Sequence, residues 1–257
     1  MGPARRLRRV WQNSAMRICA AQLRPVAGDV ACNLAKHLKL IELAVAHGAD
    51  LVYFPELSLT GYEPRLAKSL ATNEADSRLD PLQECSNAHN LLVGAGLPIS
   101  FESGVRIGMV WFSPMAPRRT YAKQILHDDE LPFFVRGETQ LVLKAERHTL
   151  APAICYESLM SEHSENAAKL GADIYLASVA KATGGMAKAM SHYPQVAHKH
   201  NMWIVMANGV GPSDDFVSVG QSAAWDRNGQ VLARMDEDSE GVVLLDTATG
   251  KAETCRA

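Results

Sequence analysis

Three side chains in this sequence, a thiol, a carboxylate and an amine, stand where they could do covalent chemistry. Cys155 closes the apolar run 149–155 (TLAPAIC) and precedes a helical stretch at 161–170. N–H groups at a helix start favour an anion, so the position predicts a lowered thiol pKa and a nucleophilic thiolate. The plain alternative, an inert buried cysteine, fits Cys19, Cys32 and Cys85. Cys155 differs from them in its strand-to-helix turn and in the polar pair Tyr156-Glu157 that follows it. A thiolate attacking a carbonyl needs one group to move protons and another to stabilise the oxyanion. Glu56 is the candidate for the first. It follows Pro55 at the end of the apolar run 50–54 (DLVYF), where ligands bind in open parallel sheets, and apolar surroundings predict a raised pKa. The alternative is a solvated loop carboxylate. Lys123 is the candidate for the second, in the alternating stretch 119–126 (RTYAKQIL), where Tyr121, Lys123 and Ile125 share a face. A lysine facing inward there needs a buried carboxylate or a functional reason. The alternative is that this face is the wet one, and the residues alone leave both open.

The elements that must position these groups read as α/β. Residues 16–23 (MRICAAQL) form a first buried strand, broken at Pro25 and Gly28-Asp29. Leu34, Leu38, Ile41 and Val45 recur at helical spacing over 33–46, with Gly48 where a helix C-cap falls. The strand 50–54 completes a β-α-β unit, which requires a parallel pair. A second unit runs through the strand 149–155, the helix 161–170 and the strand 174–179. HGADLVYFPE at 47–56 and LGADIYLASV at 170–179 carry the same Gly-Ala-Asp joint, which reads as a weak internal duplication. Further strands are expected at 91–96, 105–112, 119–126 and 202–207, and a helix at 186–200. Strands at 222–225 and 241–245 are placed around the turn Asp226-Arg227-Asn228-Gly229.

The chain has 257 residues, of which 47% are hydrophobic, enough for one sizeable core in residues 16–257. The basic stretch at the start, 1–15, reads as a disordered tail. With 26 basic and 28 acidic residues the net charge is −2, which offers no case for nucleic acid or an acidic membrane surface as a partner. The five cysteines are scattered and odd in number, which suits a reducing cytoplasm better than a disulfide framework. No apolar run reaches the roughly 18 residues of a membrane span.

Taken together, FPELSLTGY at 54–62, Tyr121-Ala122-Lys123 with Leu126, and ICYES at 154–158 resemble, in order and separation, the three motif blocks of the nitrilase (carbon–nitrogen hydrolase) superfamily. Glu130 with Phe134 and Gly137 resembles the family's segment after the lysine. AHKHNMWIVMANGVG at 197–211 resembles its helix–strand–Asn block, and Gly220-Gln221-Ser222 with 226–229 its closing hairpin. The likeness spans about 16–245. It implies a four-layer α-β-β-α sandwich in a single domain, pairing as a homodimer or higher homo-oligomer, and no metal or organic cofactor. It implies hydrolysis of an amide or carbamoyl C–N bond of a small molecule through a thioester on Cys155. Glu56 would be the proton carrier, Lys123 and the backbone N–H of Tyr156 the oxyanion donors, and Glu130 a supporting and substrate-positioning group. After Cys155-Tyr156-Glu157 the family often carries arginine and proline; here Ser158-Leu159-Met160-Ser161 stand instead. Tyr156 resembles the amidase and carbamoylase branches, whereas nitrilases more often carry tryptophan there.

Other signals are weaker. His192, His198 and His200 match no compact zinc spacing. Gly94-Ala95-Gly96 lacks the rest of a dinucleotide fingerprint and reads as a strand end. Thr183-Gly184-Gly185 reads as a mobile loop bordering the pocket. Asp128-Asp129 beside Glu130 reads as a solvated pair that could repel anions. A papain-like Cys–His pairing through His198 or His200 with Asn208 lacks the right cysteine context. Nitrile hydrolysis by the same triad and a non-catalytic dimeric scaffold are the remaining alternatives.

Overall fold

The computed structural model describes residues 15–257. The expected N-terminal tail therefore lies, all but Ala15, outside the described residues, and Met16 is already buried. The first half runs β1 (Arg17–Gln22), α1 (Val30–Ala46), β2 (Leu51–Tyr53), α2 (Ala67–Leu70), α3 (Asp80–His89), β3 (Leu92–Phe101), β4 (Gly104–Phe112) and β5 (Arg119–Ala122). The second half runs β6 (Leu143–Ala145), β7 (His148–Ile154), α4 (Ser161–Lys169), β8 (Ile174–Val179), α5 (Thr183–His200), β9 (Trp203–Asn208), β10 (Val210–Ser213) and β11 (Phe216–Val219). It closes with β12 (Ala223–Trp225), β13 (Val231–Arg234), β14 (Gly241–Asp246) and β15 (Lys251–Arg256).

Two sheets follow one plan. In the order β15-β14-β1-β2-β3-β4-β5 the strands β1, β2 and β3 are parallel; in β13-β12-β9-β8-β7-β6 the strands β7, β8 and β9 are parallel. Antiparallel strands flank each parallel centre. Alternation sends β1 side chains to opposite faces. Ile18 and Ala20 enter the core between the sheets, with Tyr53, Trp111, Leu176 and Val205. Cys19, Ala21 and Leu23 pack outward with Leu40, Ile41 and Ala44 of α1 and Leu82 of α3. On the other side, Tyr175 and Ala177 of β8 meet Ala167 of α4 and Met186, Ala189 and Tyr193 of α5. Both faces of each sheet are thus covered, which is why the central strands read as unbroken apolar runs. The result is the expected α-β-β-α sandwich. Tyr53 ties the sheets together, its hydroxyl donating to the Val205 carbonyl at 2.5 Å.

The Gly-Ala-Asp joints are built alike. Gly48 and Gly171 adopt φ +70° and +83°, a conformation that favours glycine at a helix C-terminus. Asp50 Oδ2 accepts from Arg17 N, and Asp173 Oδ1 accepts from Thr149 N, each at 2.8 Å. The two β-α-β units therefore share a side-chain clamp as well as a sequence pattern.

Several boundaries differ from the sequence expectation. The strand at 119–126 stops at Ala122, because the N–H groups of Gln124 and Ile125 turn to the Glu157 carboxylate. Residues 226–229 join β12 to β13, not to 241–245, and β15 lies beyond; the half-exposed, charge-bearing VLAR and KAETCR carry little apolar signal. Helix α3 buries only Leu82 and Ser86, too few for a periodic pattern. Gly94 and Gly96 lie inside β3, where a Cβ on Gly96 would come within 2.6 Å of the Pro55 carbonyl. Thr183-Gly184-Gly185 form the first turn of α5 rather than a loop.

Candidate active site

Glu56, Lys123 and Cys155 all follow the C-terminal ends of strands, β2, β5 and β7, at one edge of the sandwich. The turn carrying Glu56 is packed against the bare Gly96 backbone, and Leu59 N donates to the Gly96 carbonyl at 3.0 Å. A larger residue at 96 would push this turn away. Lys123 is fully buried, and its ammonium donates to Glu56 Oε1 at 2.8 Å and Glu130 Oε1 at 2.5 Å. Of the two readings of its face, the buried one holds. An ammonium has three donors, so one remains to meet a further acceptor. Glu130 is held from three sides, by Lys123, by the Tyr62 hydroxyl at 3.0 Å and by His127 N at 2.8 Å.

Cys155 begins a short 3₁₀ turn, Cys155–Leu159; the α-helix starts only at Ser161. Its φ of +48° is rare for a residue with a side chain. Such backbone strain typically costs about 1–3 kcal/mol and persists only where the surroundings enforce it. Here the enforcement is visible. Ser158 Oγ donates to the Cys155 carbonyl at 2.5 Å and bonds the Tyr193 hydroxyl at 2.7 Å. Ser158 thus braces the turn. Glu157 is fully buried and binds Ile154 N at 2.8 Å and Gln124 N at 2.6 Å, so one carboxylate clamps the cysteine turn to the lysine loop. Tyr121 donates to it at 2.6 Å, and His163 joins Tyr121 to Tyr175.

The expected lowering of the thiol pKa is not what this environment produces. Burial, reinforced by Glu56 and only partly opposed by Lys181 and Lys123, pushes the Cys155 thiol up from 9.0 to about 11. The short turn lacks the aligned peptide dipoles of a full helix, so desolvation of the thiolate dominates. Glu56 is raised, as expected, from 4.5 to about 7: burial and Glu130 outweigh the attraction of Lys123. Its Oε2 is buried with no hydrogen-bond partner among the described residues. Burial disfavours the Lys123 charge, yet Glu56 and Glu130 hold its pKa above the ordinary lysine value. The resting arrangement is therefore a protonated thiol beside a carboxylate with a free oxygen, next to a permanent cation.

Cys155 and Glu130 open on a cavity of about 510 Å³, lined also by Tyr62, Tyr156, Lys181, His192 and Phe216 among others. Tyr156 lies edge-on to His127, ring centroids 5.0 Å apart. Sequence reasoning missed Lys181. It marked only the nearby Thr183-Gly184-Gly185, and a lysine two residues beyond a strand carries no signal of its own. Among the described residues the cluster that could hold a metal ion is His47, Glu253 and Cys255. It lies outside this cavity, with Arg17 at 3.9 Å from Glu253. His192, His198 and His200 do not form such a cluster.

The sequence profile of the carbon-nitrogen hydrolase family matches residues 17–257. The chain belongs to the carbon-nitrogen hydrolase family. The resemblance read from the sequence is thus borne out at the level of this family. The chain is similar to the (R)-stereoselective amidase of a Pseudomonas sp., 28% identical over 249 residues, covering 92% of this chain and 87% of the relative. It is also similar to the glutamine-dependent NAD(+) synthetase of Aquifex aeolicus, 24% identical over 250 residues. That match covers 94% of this chain but 44% of the synthetase, so the chain spans less than half of such relatives. The amidase from Nesterenkonia sp. AN1 shares the fold, with a TM-score of 0.83 and 24% identity over 91% of this chain and 90% of that one. One mutant of that amidase carries the acetamide moiety of fluoroacetamide on its active-site cysteine, and another was solved with butyramide. No described helix of this hydrolase is long and apolar enough to cross a membrane.

Proposed function

We propose that this hydrolase is an amidase that cleaves the C–N bond of a small amide through a thioester on Cys155. The observation that carries the reading is the buried Glu56–Lys123–Glu130 cluster beside Cys155, with one carboxylate oxygen and one ammonium donor still free. Cys155 Sγ attacks the amide carbon, and Glu56 Oε2 takes the thiol proton. The oxyanion that forms meets the third donor of Lys123 and the N–H of Tyr156, which stands in the first turn of a 3₁₀ helix, where N–H groups lack internal acceptors. The C–N bond breaks as Glu56 returns its proton to the departing nitrogen. Water then attacks the thioester carbon, giving its proton to Glu56, and the acid leaves as the thiol is restored. Glu130 holds Lys123 in register. Similarity to the two amidases supports an amide substrate, and the family resemblance supports a homodimer as the working form.

Ammonia release measured side by side should be faster from a primary amide than from the matching nitrile. The opposite ranking would move the chain to nitrile hydrolysis, and no release from either would favour a scaffold. The pH profile is a second check. A base works only when ionised, and burial lifts Glu56 to about 7. kcat/KM for the amide should therefore fall by about tenfold per unit as pH drops below that value, and level off above it. A profile that stays flat across this range would remove Glu56 as the base.

A further inference from the structure

Lys181 is 4% exposed, and its ammonium ends 3.7 Å from Cys155 Sγ on the wall of the cavity. Among the described residues no carboxylate pairs with it. The nearby carboxylates, Glu56 and Glu130, are bonded to Lys123 instead. Cys155 supplies no negative charge at rest, since its thiol is held protonated. A lysine buried this far without an anionic partner is rare, because its desolvation goes uncompensated.

The fold holds the lysine there. Lys181 N donates to Asn208 Oδ1 at 2.8 Å, and its carbonyl accepts from Asn208 Nδ2 at 3.2 Å and from Val219 N at 3.0 Å. A second polar group stands beside it. His192 lines the same wall, and its Nε2 is buried with no hydrogen bond to any described residue. Burial and then the Lys181 charge hold the His192 pKa down, so the ring is neutral near pH 7 and can donate a hydrogen bond. Lys188, one turn before His192 on α5, also borders the cavity. Asp129 across the rim is hydrogen-bonded to His127 at 2.6 Å rather than to this wall.

We propose that Lys181 and His192 form an anion subsite, and that the substrate is an amide carrying a carboxylate within a few bonds of its scissile carbonyl. This rests on the amidase reading. The ammonium stands so near the attacking sulfur that only a short acid amide places its carboxylate there while its carbonyl reaches Cys155. Charge-assisted hydrogen bonds to a desolvated carboxylate also give the subsite its discrimination against neutral amides.

The test compares succinamate with its neutral isostere isocaproamide, on the wild type and on Lys181→Met and Lys181→Arg. The wild type should prefer succinamate in kcat/KM. Lys181→Met should lower kcat/KM for succinamate by about 10–100-fold and for isocaproamide far less, and Lys181→Arg should recover part of the preference. The melting temperature of Lys181→Met should hold or rise, since an unpaired buried charge has been removed. An equal loss on both amides would make Lys181 a partner of Cys155 rather than of the substrate, and would overturn the proposal. So would a wild type that turns over isocaproamide in preference to succinamate. If neither amide is turned over, the amidase reading fails. The subsite is then decided by calorimetry with succinate: weaker binding to Lys181→Met supports it, equal binding overturns it.

Discussion

Cys155→Ala is expected to lose turnover by at least about 10⁴-fold while keeping its fold, as removal of a nucleophile from a cooperating set typically does. Cys155 is the cysteine, of the five, that lines the cavity. Cys19 is buried under α1, and burial holds its thiol far above the ordinary range. Cys85 and Cys255 are raised by burial too and lie elsewhere. Alanine keeps the strained backbone, and Ser158, Glu157 and Tyr193 still brace the turn through groups that do not involve the sulfur. Steady-state ammonia release beside a melting curve measures both halves of the expectation. Near-native activity in Cys155→Ala would remove the thioester route and with it the proposed function.

Lys123 separates charge pairing from catalysis. Lys123→Met leaves Glu56 and Glu130 buried together without their shared cation. Breaking such a pair typically costs about 3–5 kcal/mol of stability, and the variant should melt at a clearly lower temperature. Lys123→Arg keeps the charge but replaces a compact ammonium with a planar fork that cannot meet two carboxylates and an oxyanion at one point. It should remain folded and lose at least about 10²-fold in kcat, the effect of losing one oxyanion donor. Single-turnover acylation on the best amide is the measurement. A Lys123→Arg protein that acylates at the native rate would leave the oxyanion to the Tyr156 backbone.

The framework was legible because the central strands are buried on both faces and the helices on one. Those two situations print different periods, as β1 and α1 show. The Asp-clamped joints were legible as repeated letters. Elements that bury little, α3, β13 and β15, left no such print. Glu56 and Cys155 stood at expected strand ends, where a polar side chain after an apolar run is conspicuous, whereas Lys123 stood within the expected strand 119–126 and only the structure ends that strand before it. Glu130 and Tyr156 were reached only through resemblance.

The two β-α-β units and the places of Glu56, Lys123 and Cys155 along the chain were thus determined by sequence alone, and the sandwich was reached through the resemblance. Charge states were not. A helix start after Cys155 argued for a thiolate, yet the sum of burial and neighbouring carboxylates holds the thiol protonated and raises the Glu56 pKa. Nor could sequence show that Lys123 faces two carboxylates and Lys181 none. Glu56 is 67 residues from Lys123, and Cys155 is 26 from Lys181. Desolvation and Coulomb terms depend on distance in space, and only the packing of the two sheets sets those distances.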